Sequence, residues 1–120
     1  MKNTNTLVKE WGSVEFESSS LKTEQFKKFV SAFKKAMKEV AGDEFTVTGY
    51  NVGHFQVSGF LQSKDNPEKF VYFSTPDVRD GRGRSTKILI RTAKYNKDYS
   101  GGYNQFVSMM NMADAVRRLA

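Results

Sequence analysis

Between Lys87 and Phe106 the chain reads KILIRTAKYNKDYSGGYNQF. Arg91, Lys94 and Lys97 are interleaved there with Tyr95, Tyr99 and Tyr103, and Gly101-Gly102 precede a run of helical spacing. Cations follow phosphates, phenol rings stack on bases, and glycines ahead of a helix N-terminus leave backbone N–H groups for an anion. The chemistry implied is recognition of a phosphate-bearing ligand, with Lys94 and Lys97 supplementing the Gly101-Gly102 turn. The glycine pair equally fits a sharp strand-to-helix turn that binds nothing.

A second basic stretch, Arg79-Asp80-Gly81-Arg82-Gly83-Arg84-Ser85, mixes arginine with glycine. It lacks the Gly-Lys-Ser/Thr ending of a phosphate loop and is not G-x-G-x-x-G. Arg/Gly segments bind nucleic-acid backbones through charge, and they also form wet hairpin tips. Catalysis has less to work with. His54 is the only histidine and cysteine is absent, which removes histidine triads, thiol chemistry and thiolate metal sites. Asp43, Glu44, Asp65, Glu68, Asp77 and Asp80 fall in turns without the spacing of a calcium loop. A carboxylate cluster assembled in three dimensions, as in a metal-dependent nuclease, is left open. The reading is of a non-catalytic protein with no cofactor and no metal.

These residues need a scaffold. Phe26, Phe29, Val30, Phe33, Ala36, Met37 and Val40 recur at spacings of three and four, which predicts a helix over 23–41. Ser20 or Thr23 would cap it, and Gly42 would end it. Lys27, Lys28, Lys34, Lys35 and Lys38 lie off the apolar stripe, either as a solvated face or as part of the anion site. From Glu44 to Lys64 the period becomes two: Phe45, Val47 and Gly49 against Thr46, Thr48 and Tyr50, then Phe55, Val57, Gly59 and Leu61 against His54, Gln56, Ser58 and Phe60. Asn51-Val52-Gly53 reads as the intervening turn, and Gly49 and Gly59 as marks of a bulge or of curvature.

Phe70-Val71-Tyr72-Phe73 predicts a central strand covered on both faces. A fourth strand runs from Thr86 to Tyr95, after the Arg/Gly tip. Ile88 and Ile90 would face the core, and Lys87 and Arg91 would point outward. With Tyr72 on that outer face, rings lie beside cations. Tyr103–Leu119 predicts a second helix through Phe106, Met109, Met110, Ala113 and Val116. Leu7–Phe16 carries weaker strand signals and would form an edge strand or an irregular arm. The fold expected is therefore one α+β domain over 1–120, in the order α-β-β-β-β-α. It comprises an arm or edge strand over 1–20, a helix over 23–41, a curved antiparallel sheet over 44–95 of four strands, or five with the N-terminal edge strand, and a helix over 103–119.

Composition agrees with one modest core: of 120 residues, 38% are hydrophobic and 13% aromatic, too apolar for disorder. The net charge of +6 is unevenly placed. Residues 22–41 hold six lysines against two glutamates, and residues 79–97 hold seven cations against Asp80, while 42–78 is acidic. Such polarity suggests an anionic partner at one face. There is no apolar leader and no stretch of membrane-spanning length, so the expectation is a soluble cytoplasmic protein without membrane contact. Met109, Met110 and Met112 suggest an interface in a homodimer.

The run VYFSTPDVR…ILIRTAKYNKDYSGGYNQF, within Val71–Phe106, resembles a segment of short uncharacterised proteins from phages and mobile elements of Gram-positive bacteria. Proteins of that setting handle replicating DNA or counter host defences, and the resemblance carries no catalytic residue with it. The helix–sheet–helix order is also similar to single-stranded-DNA-binding transcription cofactors, apart from the extra first helix. The leading expectation is a phage or mobile-element protein that binds single-stranded nucleic acid. Arg79, Arg82, Arg84, Lys87, Arg91, Lys94 and Lys97, with the Gly101 and Gly102 amides, would hold phosphates, and Tyr72, Tyr95 and Tyr99 would stack on bases. The alternative is a phage counter-defence protein, anti-CRISPR-like or sequestering a nucleotide messenger, which binds a host defence protein or a small nucleotide ligand through the same residues.

Overall fold

The computed structural model describes Leu7 and residues 21–53, 55–76, 87–98 and 102–120, the side chains at 21–23 and 25 excepted. Helix α1 spans Leu21–Ala41 and is followed by strands β1 (Phe45–Gly53), β2 (Gln56–Ser63), β3 (Phe70–Ser74), β4 (Ile88–Ala93) and β5 (Gln105–Val107). A 3-10 turn, Met109–Asn111, leads into helix α2, Met112–Leu119. The strands form one antiparallel sheet in the order β1-β2-β3-β4-β5. The fold is α+β, with a helix at each end of the sheet's sequence.

One hydrophobic cluster joins Leu7, the α1 stripe of Phe29, Phe33, Met37 and Val40, the inward strand residues Val57, Leu61, Val71, Phe73, Ile88 and Ile90, and Met112, Ala115 and Val116 of α2. Both helices therefore pack on the same face of the sheet. Full burial of each large side chain contributes about 1.5–3 kcal/mol. At its C-terminus α1 ends on Gly42, whose φ of 54° is left-handed and whose N–H donates to the Lys38 carbonyl at 3.0 Å. Thr23 lies inside the first turn, because the helix starts two residues earlier than its apolar stripe implies. Ser20 lies outside the described residues.

The β1–β2 hairpin departs from simple alternation. The register slips between Val47 and Gly49, so Thr48 is an extra residue in β1. Before the slip Phe45 and Val47 face the helices, and after it Tyr50 and Val52 do, opposite Gly59 and Val57. Tyr50 thus lies on the opposite face from Thr46, contrary to the period-two pattern. Gly59 is required at this kink. A side chain there would collide with the Gly49 carbonyl and lie 2.7 Å from Cζ of Phe73. Asn51, Val52 and Gly53 are not the turn but paired residues of β1. Their turn-like composition is overridden by pairing with Ser58, Val57 and Gln56.

β3 is central, yet it alternates: Val71 and Phe73 are buried under the helices, while Phe70, Tyr72 and Ser74 on the other face are half-covered. The expected helix over 103–119 begins only at Met112. Gln105–Val107 instead extend and pair with Ile88–Ile90, because the outer edge of β4 offers an unpaired hydrogen-bonding ladder. The fifth strand of the sheet therefore comes from the chain's last quarter; of the arm over 1–20 only Leu7 is described, and it is helical and buried. Among the described residues no helix is long and apolar enough to cross a membrane.

Candidate nucleic-acid interface

The sheet face away from the helices is built by register. Phe60 of β2, Tyr72 of β3 and Arg91 of β4 are direct cross-strand neighbours. The Phe60 and Tyr72 rings lie 5.2 Å apart at 53°, and the Arg91 guanidinium sits 4.5 Å from the Tyr72 ring centre. Arg91 Nη1 also donates to Asn104 Oδ1 at 3.5 Å. On this face Leu89 pairs with Phe106, and no helix among the described residues packs against it. A ring–ring–guanidinium row across three strands is thus a consequence of two-residue periodicity and pairing alone.

The turn after β4 closes over one end of this row. The Asp98 carboxylate is buried and accepts the Lys94 N–H at 3.0 Å, while the Asp98 N–H donates to the Tyr95 carbonyl at 3.1 Å. Asn96 Oδ1 accepts from the Thr48 hydroxyl at 2.8 Å, which ties the turn to the β1 bulge. Lys97 takes a left-handed φ of 68°, unusual for a residue with a side chain. Asn96 and Lys97 line the same small recess as Thr48 and Phe60, and Phe60 is only 4% exposed although it lies outside the helix-covered core. This arrangement leaves Lys94, Tyr95 and Lys97 projecting from a turn that is anchored at both ends.

The sequence-derived residues are therefore partly brought together. Arg91 and Tyr72 meet. Lys87 is exposed just before β4, in register with Leu89 and Arg91. Lys94 and Lys97 are exposed on the Asp98 turn, and Tyr95 is 59% exposed between them. Phe106 and Tyr103, at 62% and 91% exposure, add rings along the neighbouring edge, where the helical spacing predicts a helix. The Gly101-Gly102 site changes character. Gly102 does not open a helix: its φ is 71°, and a Cβ there would lie 2.8–2.9 Å from the hydroxyl and carbonyl oxygens of Thr92. It serves close approach of β5 to β4, so no helix N-terminus presents amides to an anion at that point. Arg79, Arg82, Arg84, Tyr99, Gly101 and His54 lie outside the described residues.

Thr48, Phe60, Asn96, Asp98 and Asn104 were not singled out by sequence reasoning. Asp98 had a legible signal, a short acceptor four residues after Lys94 in a polar connection. The Thr48–Asn96 pair joins positions 48 residues apart and left no local trace. Among the described residues no three His, Asp or Glu side chains are placed to share a metal ion. No protein-family model, no curated protein and no solved structure matches the chain.

Proposed function

We propose that the protein is a non-catalytic binder of single-stranded nucleic acid, acting in the cytoplasm in phage or mobile-element DNA metabolism. The observation that carries this reading is the clustering of exposed rings with exposed cations around β4. Tyr95, Tyr103 and Phe106 project there beside Lys87, Lys94 and Lys97, next to the Tyr72–Arg91 stack. A base stacked on a ring contributes about 1–3 kcal/mol, and each lysine near a phosphate releases a counterion. Rings and point charges discriminate poorly among bases, so low sequence selectivity is expected.

The test is binding of a labelled single-stranded oligonucleotide over a range of salt concentrations, with Arg91→Ala and Tyr95→Ala alongside. Tight binding that falls steeply with salt and weakens in both variants supports the reading. No binding at low salt ends it.

A second reading rests on Phe106, in the short edge strand β5, and Met110, just after it, both of which are exposed. They favour docking on a host defence protein, as in a phage counter-defence function, or pairing with a second copy of the chain. Loss of binding to a host extract in Phe106→Ser, with oligonucleotide binding unchanged, would favour it.

A further inference from the structure

The lysines of α1 lie on the other side of the molecule from the ring-bearing sheet face. Lys27, Ser31, Lys34 and Lys38 follow one another at spacings of four, three and four, and all are exposed. At 1.5 Å rise per residue this stripe is about 16 Å long. Its lower part is not a plain helix surface. Ser31, Lys34, Lys35 and Lys38 line one groove of about 330 Å³ with Tyr50 of β1.

Tyr50 reaches this groove because the Thr48 bulge turns it to the helix side. Its ring is held edge-on against Phe73 at 6.1 Å, and the Lys34 ammonium lies 5.0 Å from its centre. A phenol is protonated at neutral pH and so offers its O–H as a donor, and burial pushes its ionisation further up. Among the described α1 side chains the acids are Glu24, 3.7 Å from Lys27, and Glu39, which is half-buried. Among the described residues the groove itself is lined by lysines without a carboxylate.

We propose that this groove is a second binding site, specific for the phosphates of a nucleic-acid backbone. Lys34, Lys35 and Lys38 act as point charges, and the Tyr50 hydroxyl donates to a phosphate oxygen. Lysine binds a phosphate as a mobile point charge, without the planar fork by which arginine grips phosphate or carboxylate, so it can follow successive phosphates without a fixed geometry. A stripe of cations along an open groove fits a repeating anion better than an isolated one. The inference stands independently of the sheet-face reading, because it uses none of the same residues. If both hold, one chain contacts two strands, or two parts of one strand, on opposite sides.

The experiment uses the whole chain and a labelled homopolymeric oligonucleotide, with inorganic tripolyphosphate and poly-glutamate as competitors. The variants are the triple Lys34→Ala/Lys35→Ala/Lys38→Ala, the matching triple lysine-to-arginine change, and Tyr95→Ala. The alanine triple should weaken binding at least about tenfold at low salt. It should also reduce the slope of log affinity against log salt by about 2, at roughly 0.7 for each single-strand phosphate that is no longer neutralised. The arginine triple should retain the slope. Circular dichroism and the melting temperature verify that each variant is folded. An unchanged slope in a folded alanine triple overturns the proposal. Competition by tripolyphosphate or poly-glutamate as strong as by unlabelled oligonucleotide also overturns it, in favour of a free anion or an acidic peptide. A slope lost in the alanine triple while Tyr95→Ala binds normally leaves this site standing and removes the sheet-face reading.

Discussion

Arg117 and Arg91 each lay a guanidinium near an aromatic ring, yet they belong to different kinds of region. Arg117 lies 5.6 Å from the Phe45 ring centre at the junction of α1, β1 and α2. Its Nη1 donates to the Val40 and Ala113 carbonyls at 3.1 and 2.9 Å, and its Nε pairs with Glu44 at 3.0 Å. The Val40 carbonyl is among the last of α1, where helical partners run out, so the side chain completes a helix end. Arg91 instead lies over Tyr72 on a face without a helix, and its Nη1 donates to the amide oxygen of Asn104. A ring–guanidinium pair therefore does not itself decide between structure and binding. What separates them is where the donors go: Arg117 serves backbone carbonyls between packed elements, whereas Arg91 reaches a side chain at the neighbouring edge of the sheet.

Single substitutions in the two regions should separate them. Phe73 and Tyr72 are adjacent in β3 but face opposite sides. Phe73→Ala should cost about 3–5 kcal/mol in urea unfolding, as expected for a large core ring. Tyr72→Ala should cost under half as much, and equal losses would mean that the open face is a second core. Arg117→Ala should cost about 2 kcal/mol, since two partly buried carbonyls lose a charged donor. Arg117→Lys should recover less than half of that, because an ammonium cannot reach carbonyls and carboxylate in one plane.

Arg91→Ala should lower stability by less than about 1 kcal/mol and weaken oligonucleotide binding by about five- to tenfold. That is the lower part of the range for a stacked platform residue. A stability loss matching that of Arg117→Ala, with binding intact, would reverse the assignment. The smallest effect concerns Tyr50. Its phenol is raised by burial, so above about pH 10 the unfolded chain releases a proton that the folded protein keeps. Stability present below that pH should therefore decline as pH rises through the folded value, and Tyr50→Phe should flatten the decline in denaturation curves taken either side of pH 10.

Much of the frame was legible locally. The 3.6-residue recurrence of Phe26 to Val40 marked α1 because only one face of a helix can be buried, and Gly42 marked its end because a left-handed residue is cheapest without a Cβ. The alternation in β4 separated Ile88 and Ile90 from Arg91 and put Arg91 on the outer face; the β3–β4 register then set it opposite Tyr72. Phe106 to Val116 misled, since a stripe at helical spacing says nothing about an open strand edge nearby. Phe106 was drawn into β5 by the backbone of β4 and is exposed there, while Met109 keeps the core role that the spacing suggested; Met112, expected at an interface, is buried in the core, and Met110, expected on the apolar stripe, is exposed.

The periodicities, the charge polarity and the residues that bear rings and cations are properties of the chain's order, because each depends on neighbours a few positions away. Which of them meet is a matter of tertiary structure. The Thr48 bulge moved Tyr50 to the lysine side, the Thr48–Asn96 bond anchored the Lys94–Lys97 turn, and β4 recruited β5 from a stretch that reads as helix. Each of those outcomes depends on backbone groups far apart in the chain finding one another, and the free energy of that pairing is written in no local pattern.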